Sequence, residues 1–313
     1  MKSMLVSGQS LRSRESLWTR IHVDPWLLLL ILALAAVDAF VLYSASGKNL
    51  GMVYRQLAYF AVGIAAMIVV AQFQPRFMER WVPVAYVGGA LLLVAVLAVG
   101  TEAKGAQRWL TIPGVMRFQP SEIMKLVMPM SVAWYLGRRT LPPSFKHVVG
   151  SLAIVMVPTV LILKQPDLGT SLLIAASGIF ALLLAGLRWR YIIGALLALA
   201  PAAAAMWFFV MHGYQKQRVL TFLNPESDPL GSGWNIIQSK AAIGSGGVFG
   251  KGWLQGTQSH LDFLPEGHTD FIIAVLAEEF GMVGVCLLLG VYLLVIARGM
   301  VITLQAQDAF CKL

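Results

Sequence analysis

Charged side chains are scarce in this sequence, and their scarcity excludes most classes of soluble protein. Only 12% of the 313 residues are Asp, Glu, Lys or Arg, whereas 58% are hydrophobic and the mean hydropathy is +0.73. A soluble fold cannot cover its surface with so few charges, and a disordered chain or a nucleic-acid-binding module would need a more polar sequence. The composition predicts an all-α polytopic membrane protein, because a spanning helix satisfies its own backbone hydrogen bonds.

Cysteines and acidic residues are also few. Cys286 and Cys311 lie in or near a late apolar segment and lack the spacing of metal ligands, so a disulfide scaffold is excluded and both are predicted to be inert thiols. The 15 acidic residues are outnumbered by 24 Lys and Arg, which gives a formal charge of +9. In a membrane protein much of such an excess sets topology.

Eight apolar stretches of membrane-crossing length follow a polar beginning. They lie at about 25–43, 53–71, 82–99, 121–137, 148–163, 168–187, 191–211 and 271–297. No cleavage site of small residues follows the first stretch, so residues 1–24 are predicted to be a cytoplasmic tail leading into a retained helix. The predicted domains are this tail, a transmembrane domain at 25–297 and a cytoplasmic end at 298–313.

The distribution of basic residues supports a cytoplasmic N-terminus. In that orientation 13 of the 24 fall on the cytoplasmic side, and short connections such as the one with Arg138 and Arg139 fit the positive-inside rule. The outer face then contains residues 100–119 and a long segment at 212–270. Loops of that length are usually functional, so chemistry is expected on this face. Within the long segment, Trp234 to Ile243 is predicted to form an amphipathic helix, with Trp234, Ile237 and Ala241 on an apolar face at the membrane surface.

The charged residues inside predicted spans include Asp38, Glu122 and Lys125. A charge at such a place normally faces the bundle interior or a wet cavity. Glu122 and Lys125 are three residues apart, share a helix face and are predicted to pair. The pair either fixes helix packing or takes a direct functional part, and the pattern leaves both alternatives open. Asp38 is compatible with a simple helix-packing acid.

Two polar motifs interrupt the apolar pattern near membrane boundaries. In the first, Lys164 and Asp167 flank a proline between two spans, and Asp167 is predicted to cap the next helix. In the second, His268, Thr269 and Asp270 stand where the long segment re-enters the membrane. There, Thr269 or Asp270 caps the last span, or Asp270 is a boundary carboxylate suited to accept a proton.

Five ordered motifs together resemble the SEDS family (shape, elongation, division and sporulation), and its elongation branch more than its division branch. They are KGAQRWL at 104–110, FQPSE at 118–122 followed by Lys125, KQPDLGT at 164–170, RVLTFLNP at 218–225 and LPEGHTDF at 264–271. Five motifs in order are far more specific than any one of them. The resemblance extends from the first span to the end of the chain.

The resemblance implies a peptidoglycan glycosyltransferase of the bacterial inner membrane that serves cell elongation and rod shape. Such proteins polymerise lipid II, the undecaprenyl-pyrophosphate-linked disaccharide-pentapeptide, together with a class B penicillin-binding protein and without any nucleic acid. Asp270 matches the family's essential outer-face aspartate, and Glu122 with Lys125 matches a structural ion pair. The implied substrate-binding residues are Lys104, Arg108, Trp109, Lys164, Asp167, Arg218 and His268.

These roles imply an inverting transfer, because an α-linked donor becomes a β-linked glycan in one displacement with one general base. Asp270 is expected to take the proton of the acceptor hydroxyl. Arg108, Lys104, Lys164 or Arg218 is expected to neutralise the departing pyrophosphate. A divalent cation, Mg²⁺ or Mn²⁺, is compatible with this role, although no sequence feature demands one.

Two other functions are open at this point. A lipid II flippase would use Asp38, Glu122 and Lys125 along a polar path, although no inverted repeat is evident. A non-catalytic activator of the penicillin-binding protein would leave glycan synthesis independent of Asp270. The family usually has ten spans and a late Ser-Tyr-Gly-Gly motif, so the resemblance also implies a shortened chain whose activity depends on whether the absent helices line the cavity.

Overall fold

The computed structural model describes residues 21–103, 106–112, 116–211, 213–229, 233–257 and 267–313. Most of the predicted cytoplasmic tail therefore lies outside the described residues. Helices dominate the remainder, which confirms the all-α class for the membrane part of the chain.

Between residues 21 and 205, the described part of the chain forms seven long helices and a small sheet. The helices are α1 Pro25–Ala45, α2 Leu50–Ala71, α3 Pro75–Val99, α4 Pro120–Gly137, α5 Phe145–Leu163, α6 Leu168–Leu184 and α7 Trp189–Ala205. The strands β1 Thr101–Ala103, β2 Ala106–Ile112 and β3 Met116–Phe118 lie between α3 and α4.

In the described residues after α7, four further helices follow a π-helical turn, Met206–Val210, that extends α7. They are α8 Gly213–Leu223, α9 Trp234–Gly246, α10 Ile272–Gln305 and α11 Ala309–Lys312, with a 3-10 turn at Pro225–Ser227. Most of the described residues between 213 and 257 are therefore helical. The last span also continues beyond its predicted end, into the residues that we assigned to a cytoplasmic end.

Six helices of the described chain are long and apolar enough to cross a membrane: α1, α2, α3, α5, α7 with its extension, and α10. The helix α6 is apolar but has only 17 residues. The helix α4, predicted as the fourth span, is not among the six, because Glu122 and Lys125 lower its hydropathy. The multi-pass prediction is confirmed, whereas the number of clear spans among these residues is six and not eight.

The described residues form two compact units. The first unit comprises the described residues of Met1–Phe73 and His212–Gly299, and the second comprises those of Gln74–Met211 and Met300–Leu313. The core of the second unit lies among α3, α4, α5 and α6, where Leu93, Met124, Met128, Ile162 and Ile174 have no exposed surface.

Small residues let the helices of the second unit approach closely. A Cβ atom built on Gly89 of α3 would lie 2.3 Å from Sδ of Met124, a side chain that is fully buried on α4. The neighbouring Gly88 has no atom within 4 Å of such a Cβ. The contact between α3 and α4 therefore requires glycine at position 89 but not at position 88.

Replacing Gly89 by Leu is expected to lower the free energy of unfolding by about 1–3 kcal/mol, because the extra side chain overpacks a filled interface. Gly88→Leu is the matched control and is expected to be neutral or stabilising, since Leu is the better helix former. Unfolding of the purified protein in a denaturing detergent, followed by circular dichroism, measures both. An equal loss in the two variants would show that the Met124 contact is unimportant.

The core of the first unit joins α1, α9 and the beginning of α10 through Val41, Ala242, Ala274, Val275 and Leu276. The helix predicted from Trp234 is confirmed, but its buried side is formed by Ser239, Ala242 and Gly246. Ala241, which the amphipathic pattern placed on the apolar face, is exposed. This helix, α9, buries the face that contains Gly246 because the backbone of Gly246 packs directly on the carbonyl of Ala277.

Candidate functional site

The outer-loop motif of the second unit is held by a sheet that the sequence did not predict. The strands pair as an antiparallel meander in the order β1-β2-β3, with Thr101 opposite Trp109 and Leu110 opposite Phe118. The guanidinium of Arg117 lies 5.9 Å from the centre of the Trp109 ring, at the limit of a cation–π contact. Lys104, the first residue of the motif, lies outside the described residues.

Arg108 and Asp167, which belong to different motifs, meet in the second unit. Nε of Arg108 lies 3.4 Å from Oδ2 of Asp167, and the carboxylate side chain is only 8% exposed. The Arg108 guanidinium also donates to the carbonyl of Pro166 at 3.4 Å. These distances are longer than the 2.7–2.9 Å of a tight charge-assisted bond. Arg108 thus stays beside a buried carboxylate and keeps part of its surface exposed.

Asp167 caps α6, as its position after the proline predicts. Its Oδ1 accepts from the backbone N–H of Thr170 at 3.2 Å, and its Oδ2 accepts from the Thr170 hydroxyl at 2.9 Å. The side-chain amide of Gln119 approaches the same Oδ2 at 3.5 Å. Lys164, which follows the last residue of α5, is exposed in the same turn region. It forms no ion pair with the described residues.

Replacing Asp167 by Ala is expected to cost about 1–2 kcal/mol of stability, because α6 loses its N-cap. Asn also caps helices well, so Asp167→Asn is expected to cost less and to remove only the contact with Arg108. Thermal unfolding of the two variants in the same detergent compares them. If Asn and Ala are equally destabilising, the charge contact outweighs the cap.

The predicted pair of Glu122 and Lys125 is present but is not buried within the protein. Nζ of Lys125 lies 2.7 Å from Oε1 of Glu122, and the two side chains are 32% and 57% exposed. Glu122 lies in the first turn of α4, where the positive end of the helix dipole favours an anion. The expected pairing is confirmed, and both residues lie in the first two turns of α4, which begins at Pro120.

In the first unit, Asp270 precedes the beginning of α10. The first bonds of the helix run from the N–H groups of Ala274 and Val275 to the carbonyl of Phe271, so Asp270 is not its N-cap. Within the described chain, the Asp270 carboxylate is exposed and accepts no hydrogen bond. His268 is partly exposed in the same turn. Arg218 belongs to α8 in this unit, and its side chain lies outside the described set.

The helix α10 is broken nine residues after it begins. Gly281 has φ 65° and ψ −163°, so the residues before and after it form two helical halves. The carbonyls of Glu278 and Glu279, at the end of the first half, accept from the N–H groups of Lys251 and Gly252 at 3.0 Å each. These bonds satisfy two carbonyl groups that would otherwise have no hydrogen-bond donor at the end of a helix.

The second half of α10 is tied to the same strip of chain, which we call the clasp (residues 246–252). The N–H groups of Met282 and Val283 donate to the carbonyls of Gly247 and Val248 at 3.0 and 3.1 Å. A Cβ built on Gly250 would lie 2.1 Å from the Glu279 carbonyl oxygen. Glycine is therefore required where the clasp touches the break, which explains the glycine cluster near residue 246.

Two buried glutamates reinforce the clasp. Glu278 is 0% exposed, and its Oε1 lies 2.8 Å from Nζ of Lys251 and 3.2 Å from Oγ1 of Thr257. Glu279 is 1% exposed and accepts from the Ser44 hydroxyl on α1 and from the N–H of Leu254 at 3.1 Å. Asp270 thus precedes a short half-helix that is anchored at its far end by charge and backbone bonds.

Sequence reasoning missed Lys251, Glu278 and Glu279 as parts of the site. The available signal was two consecutive acids inside an apolar span, followed two residues later by Gly281. Such acids are expensive unless they are paired, so a lysine in the preceding glycine-rich segment was the natural partner.

Two apolar cavities of the first unit lie between α1 and α10. One, of about 410 Å³, is lined by residues that include Phe40, Leu276, Phe280 and Gly284. The other, of about 340 Å³, contains Asp38, whose Oδ2 is buried without a hydrogen-bond partner among the described residues. The α1/α10 groove, as we call the first, opens on a long apolar surface.

Among the residues in the ranges given above, no group of three or more His, Cys, Asp or Glu side chains is arranged to hold a metal ion. Burial, together with Asp308 and Glu79, raises the pKa of the Cys311 thiol. A raised pKa makes this thiol less reactive.

Comparisons with known proteins agree on one family. The family described as "Cell cycle protein", which groups FtsW, RodA and SpoVE, matches residues 21–313. Peptidoglycan glycosyltransferase MrdB of Escherichia coli (strain K12) is 52% identical over 298 residues, which are 95% of this chain and 80% of that protein.

Two solved structures share the fold. A chain from a study of a peptidoglycan synthase complex that coordinates polymerization and crosslinking has a TM-score of 0.76 at 31% identity, covering 92% of this chain and 80% of that one. The crystal structure of the rod shape determining protein RodA of Thermus thermophilus has a TM-score of 0.63 at 27% identity, covering 92% and 79%.

Proposed function

The chain belongs to the SEDS (FtsW/RodA) family of membrane peptidoglycan glycosyltransferases, and from this premise we propose that it polymerises lipid II with Asp270 as the general base. The family assigns the activity, a glycan polymerase for rod shape. The assignment of individual residues rests on the geometry described above.

The observation that carries the proposal is the environment of Asp270. A general base needs a carboxylate that substrate can reach and that no other donor occupies. Asp270 is exposed, forms no ion pair with the described residues and precedes a half-helix that is anchored by the clasp. A base on an anchored element meets its substrate in a defined position.

The reaction balances as a single displacement. The acceptor hydroxyl of lipid II attacks the anomeric carbon of the growing strand, the new glycosidic C–O bond forms, and the bond from that carbon to the pyrophosphate oxygen breaks. Asp270 takes the hydroxyl proton, and undecaprenyl pyrophosphate leaves with the bonding electron pair. The configuration at the anomeric carbon inverts, which requires one base and no covalent enzyme intermediate.

Cations are required where negative charge develops on the leaving group. We propose that exposed Lys164 and partly exposed Arg108 supply the positive charge. The family resemblance adds Lys104 and Arg218. The guanidinium of Arg108 suits a pyrophosphate because its planar fork can donate two bonds to one phosphate group. Trp109 and His268 are proposed to contact the sugar or peptide portions of substrate.

The polyprenyl tails require only an apolar surface. The α1/α10 groove supplies one, with Phe40, Leu276 and Phe280 among its lining residues. A tail in this groove would stay in contact with lipid while the head group is held near Asp270, because both belong to the first unit.

The cellular setting follows from the same premise. We propose a multi-pass protein of the bacterial inner membrane with a cytoplasmic N-terminus and with Asp270 on the outer face. The related chain from a peptidoglycan synthase complex supports a class B penicillin-binding protein as partner.

The function is tested with the purified chain in lipid vesicles that contain lipid II, with and without the penicillin-binding protein. Glycan chains without movement of head groups across the bilayer are the expected result. Movement of head groups without glycan would favour a flippase. Glycan synthesis that is unchanged by Asp270→Ala would favour the non-catalytic activator.

A further inference from the structure

One edge of the second unit carries a concentration of positive charge that glycosyl transfer does not use. It is formed by residues 138–147, which join α4 to the first residues of α5, and residues 185–191, which join α6 to the first residues of α7. We call this surface the basic edge. These two stretches contain five cationic residues and no Asp or Glu: Arg138, Arg139, Lys146, Arg188 and Arg190. Of these five, only Arg138 pairs with a carboxylate in the described chain, Glu79 at 2.9 Å.

The two stretches form one surface and not two separate turns. The ring centres of Phe145 and Tyr191 are 6.0 Å apart. A Cβ built on Gly186 would lie 3.8 Å from Cβ of Pro142. Lys146 and Arg190 are the immediate neighbours of the two contacting rings, so their charges belong to the same patch.

Arg138 lies over the Trp134 ring and also pairs with Glu79. Two arginines that have no carboxylate partner among the described residues are likewise held against aromatic rings. The Arg139 guanidinium lies 3.7 Å from the centre of the Tyr135 ring, and that of Arg190 lies 5.1 Å from the centre of the Tyr191 ring. Both tyrosines pack against the core of the unit. Stacking on a fixed ring limits the freedom of a long side chain, so less entropy is lost when its N–H groups bind an anion.

An apolar surface adjoins the charges. The helix α7 buries none of its residues within the protein. Trp189, Ile193 and Leu197, near its beginning, are 76%, 53% and 74% exposed. A ligand matched to this combination has a phosphate group at one end and hydrocarbon at the other.

We propose that the basic edge is a binding site for the head group of an anionic phospholipid, whose acyl chains lie along the beginning of α7. Arg139, Lys146 and Arg190 bind the phosphate. None of these three pairs with a carboxylate among the described residues, which favours a lipid with net negative charge over a zwitterionic one. Basic pockets between membrane helices bind anionic head groups by this principle. The site is independent of the proposed function of Asp270.

The test compares two double variants that each remove two arginines. Arg139→Gln/Arg190→Gln removes the stacked cations, and Arg76→Gln/Arg80→Gln removes two exposed arginines from the first turns of α3. Binding of dioleoyl phosphatidylglycerol and of dioleoyl phosphatidylcholine is measured by native mass spectrometry of the detergent-solubilised chain. Glycerol phosphate, the soluble counterpart of the head group, is titrated in parallel.

The unaltered chain is expected to prefer the anionic lipid by at least about tenfold, since each basic residue contributes about fivefold. The stacked-arginine variant is expected to lose that preference and the α3 variant to keep it. Arg139→Lys/Arg190→Lys retains the positive charge and is expected to keep most of the preference for the anionic lipid. This variant still tests the site if the glutamine variant does not fold.

Three results would overturn the proposal. Equal affinity of the unaltered chain for the two lipids would show that there is no selective site. Equal loss of preference for the anionic lipid in both glutamine variants would show that the preference depends on the total positive charge of the chain and not on this site. Glycerol phosphate binding as tightly as the phospholipid would make the ligand a soluble anion.

Discussion

Replacing Asp270 by Asn is expected to lower the initial rate of glycan synthesis from lipid II by at least about 100-fold, because positioned general bases contribute about 10²–10⁴-fold. The amide keeps the size of the side chain but cannot accept the proton of the attacking hydroxyl. The side chain forms no hydrogen bond or ion pair with the described residues, so the substitution is expected to leave folding and lipid II binding unchanged. The rate is measured on the purified chain with its penicillin-binding partner.

Glu226→Gln is the matched control, since it removes another exposed carboxylate from the same long segment without touching the proposed base. It is expected to retain the full rate. An Asp270→Asn rate within about threefold of the control would exclude a general-base role, which is worth at least about 100-fold. A loss of lipid II binding equal to the loss of rate would point to substrate positioning.

Removing Glu278 is expected to have the largest effect on stability. Glu278→Ala leaves Lys251 facing a buried site without its anion, and breaking one side of a buried pair costs about 3–5 kcal/mol. Lys251 is 27% exposed, so a value near the lower end is expected. The clasp and the half-helix that follows Asp270 are expected to loosen together, which lowers activity as well. Unfolding in a denaturing detergent measures the first effect, and lipid II turnover measures the second.

The double variant Lys251→Met/Glu278→Leu tests whether charge or packing holds the clasp. Replacing both partners by apolar side chains is often neutral, so it is expected to recover much of the stability lost in Glu278→Ala. Glu79→Ala breaks the exposed pair with Arg138 and is expected to cost no more than about 1 kcal/mol. If Glu278→Ala is as mild as Glu79→Ala, the buried pair does not anchor the break.

The apolar helices could be predicted from the sequence because hydropathy depends on composition alone. The first two predicted spans begin and end within a few residues of α1 and α2, and the third ends with α3 at Val99 although α3 begins earlier, at Pro75. The sheet between α3 and α4 could not be predicted, because the hydropathy pattern of strands of three and seven residues is too short to distinguish them from a loop.

The site was predictable where a motif marks it and not where distant segments meet. The cap at Asp167 follows from its place before a helix, and its contact with Arg108 required the fold. The break at Gly281 could not be predicted because the span also contains Gly284 and Gly290, and nothing in the apolar pattern distinguishes one of the three glycines as a break. Only the three-dimensional pairing of Lys251 with Glu278 reveals why the chain can interrupt a helix there.

Glycan synthesis by a mixed preparation tests the central claim most directly. The chain is reconstituted with lipid II and a penicillin-binding protein whose crosslinking site has been inactivated, so that any polymer must come from the chain. The account predicts β-linked glycan strands from the unaltered chain and none from Asp270→Asn assembled with the same partner. Strands of equal length and amount from both would contradict it.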